Sequence, residues 1–129
     1  MSAKTLKAHV RHQPGVSVVE LHGEINASAE DVLNHAYAEA EQRELDVILF
    51  NFTDVHYINS TGIALIVSLL ARARKQRRRL QACGLSDHYV EIFQVTRLSD
   101  FLHIFPDEAS ALTQETAHED DPSANRNKN

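Results

Sequence analysis

Polar and apolar residues alternate from position 4 to 12 (KTLKAHVRH), with Leu6, Ala8 and Val10 on one side, the period-two signature of a strand. Pro14-Gly15 is a turn signal. The β-branched stretch VSVVEL (16–21) predicts a second strand ending at Gly23, so the chain opens with a β-hairpin. The period then changes. Val32, Leu33, Ala36, Tyr37 and Ala40 recur at helical spacing and predict an amphipathic helix over 29–43, with Ser28 as its N-cap and Glu30 and Asp31 in its first turn. DVILFNF (46–52) is apolar on both faces through Phe50, as an interior strand covered by helices must be. TDVHYI (53–58) reads as a loop. A helix over 61–77 follows, and Ile63, Leu65, Ile66, Val67, Leu69 and Leu70 surround it almost completely, which predicts burial on more than one side. LQACGL (80–85) predicts a short buried strand, Ser86 the cap of a helix through Val90, Phe93 and Val95, and residues 102–105 a last strand. Pro106 stands at the start of a final helix over 107–114.

The order β-β-α-β-α-β-α-β-α defines an α/β fold. Strands alternating with helices favour parallel pairing with right-handed crossovers, while the hairpin adds an antiparallel pair. The expectation is a mixed, partly parallel sheet of four to five strands with helices mainly on one face. One domain should span 1–115. From 116 the chain holds no aliphatic residue larger than alanine, the texture of a disordered polar tail over 116–129.

Charge and composition narrow the function. A formal net charge of −5 gives no case for nucleic acid or anionic membranes as partners. The single cysteine, Cys83, rules out an intramolecular disulfide and fits a reducing compartment. The N-terminal residues lack the apolar core of a signal peptide, and the longest apolar run, 63–71, falls well short of the roughly 20 residues of a spanning helix. These features predict a cytoplasmic protein without membrane insertion. The eight histidines show no paired metal-ligand spacing, and neither a Gly-x-Ser-x-Gly elbow nor a phosphate-binding glycine loop is present. No enzyme, cofactor or metal site is expected. The basic run Arg72, Arg74, Lys75, Arg77, Arg78, Arg79 ends a helix, where cations complement the dipole, and no aromatic interleaving supports base stacking. It could also serve as a docking surface for an acidic partner. The remaining candidate is the head of the central helix, Asn59-Ser60-Thr61-Gly62-Ile63. Two hydroxyls open an apolar helix there. Serine and threonine at such positions ordinarily serve as caps.

The stretch from VILFNF through NSTGIALIVSLL, LQACGL and RLSDFLHIF, with HGEIN (22–26) upstream, resembles the STAS domain family, and within it the bacterial anti-sigma-factor antagonists. The likeness covers roughly residues 5–113. The family's Asp-Ser-Ser/Thr-Gly-Leu motif corresponds here to residues 59–63. The resemblance implies a partner switch: a serine kinase that is also the anti-sigma factor phosphorylates Ser60, the unphosphorylated antagonist binds that kinase, the phosphorylated form lets go, and a phosphoserine phosphatase resets it. It also implies a contact surface of Asn26, His56, Asn59, Ser60, Thr61, Gly62 and Ile63, with Thr61 as a cap or neighbour rather than the acceptor. Gly62 would keep the first turn bare for the kinase. This chain departs from the pattern by carrying Asn59 and Asn26 where the family often has aspartate, and Arg97 where it commonly has glycine. STAS domains also act as non-phosphorylated scaffold subunits in lipid-transport ATPase complexes or stress-sensing assemblies, and some as small-ligand sensors.

Overall fold

The hairpin is built as its alternation requires. Strand β1 (Lys7–Gln13) pairs antiparallel with β2 (Val16–Ile25), Gln13 opposite Val16, so that Pro14 and Gly15 alone make the turn and Gly15 takes φ +78°. The computed structural model describes residues 5–113, and the polar segment expected over 116–129 lies outside them. Helix α1 (Glu30–Glu41) leads to β3 (Val47–Ile58), α2 (Ser60–Lys75), β4 (Arg79–Cys83), α3 (Asp87–Val95) and β5 (His103–Phe105). The sheet runs in the order β1-β2-β3-β4-β5, and every pair after the first is parallel. Residues 108–113 are helical. The mixed five-stranded sheet and the element order are those predicted.

Each strand sends alternate side chains to two cores. On one face Val19, Leu21, Ile25, Ile48, Phe50, Phe52, Leu80 and Ala82 meet Leu33 and Tyr37 of α1, Ile66, Leu69 and Leu70 of α2, and Phe93 of α3. The other face carries Val16, Val18, Val47, Leu49, Cys83 and Phe105, covered by Ala111 and Leu112. Helices α1, α2 and α3 therefore share one face, and the helical residues 108–113 lie on the other. Burial pushes the Cys83 thiol up to about 12, with the Glu108 and Asp107 carboxylates adding to the effect, which leaves it a small neutral core residue.

Several boundaries differ from expectation. Strand β2 runs through Gly23 to Ile25, and the expected loop 53–58 is instead the second half of β3. Two register shifts, between Glu20 and His22 and between Gly23 and Glu24, insert extra β3 residues opposite β2. Such bulges break the period-two pattern that marks a strand in sequence. Gly23 does not stop the strand. It sits at φ +120° where a Cβ would lie 2.7 Å from the Thr5 carbonyl oxygen. Helix α2 is not enclosed: Gly62, Ile66, Leu69, Leu70 and Ala73 are buried, while Val67 is 43% exposed and Ala64 and Ala71 face outward. Pro106 precedes the last helix rather than opening it, because the Asp107 carboxylate accepts from the Ser110 N–H at 2.8 Å and takes the cap.

The basic end of α2 is largely absorbed by the fold. Arg72 pairs with Glu41 and lies 4.5 Å over the Tyr37 ring, Arg78 donates to the Leu45 carbonyl at 3.1 Å, and Arg74 lies 4.8 Å over Phe101. On the opposite face Arg11 bridges Glu20 and Glu108 at 2.7 and 2.8 Å, and the Asn51 amide donates to Glu108 at 3.0 Å.

Two predictions follow from local chemistry. Arg97 ends α3 in the left-handed region at φ +68°, a conformation worth about 1 kcal/mol more to glycine. Its exposed 2.7 Å pair with Asp100 is worth less, a few tenths of a kcal/mol. Arg97→Gly should therefore raise stability by about 0.5 kcal/mol in urea unfolding, and a fall in the midpoint would refute the balance. For Glu108, burial alone would raise the carboxyl, but hydrogen bonds from Arg11 and Asn51 outweigh it and hold the group below its usual 4.5. A depressed carboxylate stabilises above its unfolded value and loses that contribution as pH falls through the folded one. Glu108→Gln should cost about 1 kcal/mol at pH 7, and the gap to wild type should close below pH 4.5 in thermal melts.

Candidate functional site

Parallel pairing brings the two asparagine loops together. Ile25 and Ile58 end β2 and β3 as register partners, so Asn26 and Asn59 leave the same edge of the sheet side by side. The Asn59 N–H donates to the Ile25 carbonyl at 3.1 Å and ties one loop to the other. Loops at the C-terminal edge of parallel strands are a common place for binding sites in α/β sheets.

Each asparagine is a cap. The Asn59 side-chain oxygen accepts from the Gly62 N–H at 2.8 Å, and its carbonyl accepts the first helical bond from Ile63 at 2.9 Å. The Asn26 side-chain oxygen accepts from both the Ser28 N–H at 3.0 Å and the Ser28 hydroxyl at 2.6 Å, shaping the 3-10 turn Ala27–Ala29 that feeds α1. Ser28 thus serves the Asn26 turn and is not the cap of α1, whose Ala29 N-cap makes no side-chain bond.

This arrangement reassigns the two hydroxyls at the head of α2. Neither Ser60 nor Thr61 caps the helix, because Asn59 already does. Ser60 is the first helical residue and Thr61 the second; both are exposed, and neither side chain has a hydrogen-bond partner among the described residues. As the first two helical positions, they also leave their own N–H groups without an intrahelical acceptor. An anion carried on Ser60 would lie at the positive end of a sixteen-residue dipole.

Gly62 has a different task from an open first turn. It is buried, and a Cβ there would fall onto the Ile25 carbonyl oxygen, so only glycine lets the helix start this close to the end of β2. Ile63 is half-buried against the main core and anchors the same turn from below. A further brace is not marked by any motif: Tyr89 of α3, itself buried, accepts the Ile58 N–H on its hydroxyl oxygen at 2.9 Å. Its only sequence signal is a tyrosine on the buried side of a predicted helix, where the hydroxyl needs a partner. His56 lies elsewhere, lining a shallow depression with Thr5, Lys7, His22, Gly23 and Asp54, where His22 contacts Asp54 at 3.0 Å. Among the described residues no cluster of three potential ligands could hold a metal ion, and no helix is long and apolar enough to cross a membrane.

A sheet with one antiparallel edge, three helices on one face and a capped helix start at the end of its central strand is the architecture of a STAS domain. The STAS domain family model matches residues 7–111, and the chain belongs to that family. Within the family it is similar to the anti-sigma-B factor antagonist of Listeria monocytogenes, 32% identical over 82 residues that make up 64% of this chain and 72% of that protein. Among solved structures it resembles an anti-sigma factor antagonist from Mycobacterium paratuberculosis (TM-score 0.73, 19% identity, 85% of this chain and 93% of that one). It equally resembles a sulfate transporter family protein from Wolinella succinogenes (TM-score 0.73, 18% identity, 86% and 93%).

The cap assignment separates Asn59 from Ser60 experimentally. Asn59→Ala should cost about 1 kcal/mol of stability through loss of the cap. Ser60→Ala should stay within about 0.5 kcal/mol, as an exposed residue without a partner. Equal losses in urea unfolding would show that Ser60 carries structure after all.

Proposed function

We propose that the protein is an anti-sigma-factor antagonist that works by partner switching, with Ser60 as the residue that is phosphorylated. Unphosphorylated, it binds a serine kinase that doubles as the anti-sigma factor. Phosphorylation of Ser60 releases it, and a phosphoserine phosphatase restores the binding form. The observation that carries this reading is the free Ser60 hydroxyl. Capping by Asn59 relieves it of structural work and leaves it outward on a helix start pinned by Gly62 and Ile63.

The same geometry explains how phosphate could act without refolding. It adds about 1.5 to 2 negative charges at a surface otherwise made of neutral groups, Asn26, Asn59, Thr61 and the half-buried Ile63. A docking face complementary to neutral groups would then meet an uncompensated charge, and the complex would weaken while the antagonist kept its fold. The contact surface in this reading is formed by the Asn26 turn, Asn59, Ser60, Thr61 and Ile63, with Gly62 setting the approach of helix to strand, and it leaves out His56, which lines the separate depression with His22 and Asp54. The fold alone does not choose between this role and that of a transporter-associated scaffold, since both kinds of neighbour overlay equally well. Similarity to the Listeria antagonist, at higher identity, favours the switch.

Incubation with its serine kinase and ATP should place phosphate on Ser60 by mass spectrometry. Ser60→Ala should bind the kinase with unchanged affinity and take up no phosphate, while Ser60→Asp should bind at least tenfold more weakly in calorimetry. Phosphate mapped to another residue, or co-purification with a transporter subunit instead of a kinase, would overturn the assignment.

A further inference from the structure

The strand that delivers Ser60 overhangs its sheet. Strand β4 ends at Cys83 opposite Asn51, so β3 continues from Phe52 to Ile58 with β2 on one side and, among the described residues, no strand on the other. The ladder to β2 is also irregular here, because both register shifts fall along this stretch. Successive N–H groups of a strand point to opposite sides. The Asn59 N–H turns toward β2 and bonds the Ile25 carbonyl, so the Ile58 N–H turns away, to the side where β4 has already ended. Ile58 is buried, and a buried N–H without an acceptor is costly.

Tyr89 supplies the acceptor. Its hydroxyl oxygen takes the Ile58 N–H at 2.9 Å, the hydroxyl's only bond among the described residues. The side chain is itself held in place. The Ser86 hydroxyl caps α3 by accepting from the Tyr89 N–H at 3.4 Å, and the buried ring lies edge-on to His88 with 4.8 Å between centroids. One side chain of α3 thus stands in for the strand that is missing beside Ile58. The next residue along the chain is Asn59, the cap of α2, and Ser60 follows it. Tyr89→Phe would keep the ring in the core and remove only the bond.

We infer that Tyr89 is a positioning residue for the Ser60 site, fixing the helix head through the overhanging end of β3. This role rests on Ser60 being the phosphorylated residue, but half of its test needs no kinase. In full-length Tyr89→Phe, amide exchange of Asn59 and Ile63, whose own hydrogen bonds the change leaves in place, should accelerate about tenfold more than that of Val19 and Leu49 in the central ladder. Looser presentation lowers the fraction of molecules ready to dock. The KM for phosphorylation of Ser60 should therefore rise at least threefold, with kcat unchanged. Leu80→Ala, which thins the core at the opposite end of the sheet, should lower stability without moving KM. Equal acceleration at all four amides, a KM unmoved in Tyr89→Phe, or one moved as far by Leu80→Ala would each overturn the inference. Failure of the wild type to take up phosphate at Ser60 would instead sink the kinase reading, and the exchange pattern alone would then decide for or against Tyr89.

Discussion

The carbonyl oxygen of Ile25 holds the site together. It ends β2, accepts the Asn59 N–H across the parallel ladder, and lies so close under the first turn of α2 that only Gly62 fits above it. One acceptor thereby fixes the spacing of two loops, the register of two strands and the start of a helix. Tyr89 secures the adjoining Ile58 N–H from the helical side, so the strand end is bonded from two directions. Everything outward of this point, the Asn26 turn and the Asn59-Ser60-Thr61 helix head, is presented on a rigid base.

The elements were legible where a single period persisted. The alternation of β1, the helical spacing of α1, the apolar block 47–50 and the Ser86 cap, whose hydroxyl accepts from the Tyr89 N–H, all appear as read. The left-handed end at Arg97 also follows from comparing it with a position that commonly holds glycine. What escaped was set by partners distant in sequence. The second halves of β2 and β3 pair through bulges, so residues 53–58 lose alternation while keeping their ladder. Val67 reads as core by hydropathy, yet α2 has sheet on one side and nothing among the described residues opposite it.

Capping illustrates a second limit. Asparagine and serine cap helices almost equally well, so Asn59-Ser60 offers two adjacent starts. The strand decides between them. Once Asn59 N–H is committed to Ile25, its extended backbone (φ −93°, ψ −176°) is the one suited to a cap, and Ser60 is pushed into the helix. Substituting asparagine for the family's frequent aspartate therefore preserves this geometry while leaving the helix head uncharged.

The length of α2 has a consequence of its own. Ser60 and Arg74 are separated by fourteen residues of one straight helix, about 21 Å along its axis. At physiological salt the Debye length is about 8 Å. A charge introduced at the head of the helix is thus electrostatically invisible at its foot, and the core packed along its buried face gives no soft joint through which to transmit strain. The helix behaves as an insulating rod. A phosphate on Ser60 would therefore leave the potential around Arg74 unchanged, and its effect would have to be read at the head of the helix itself.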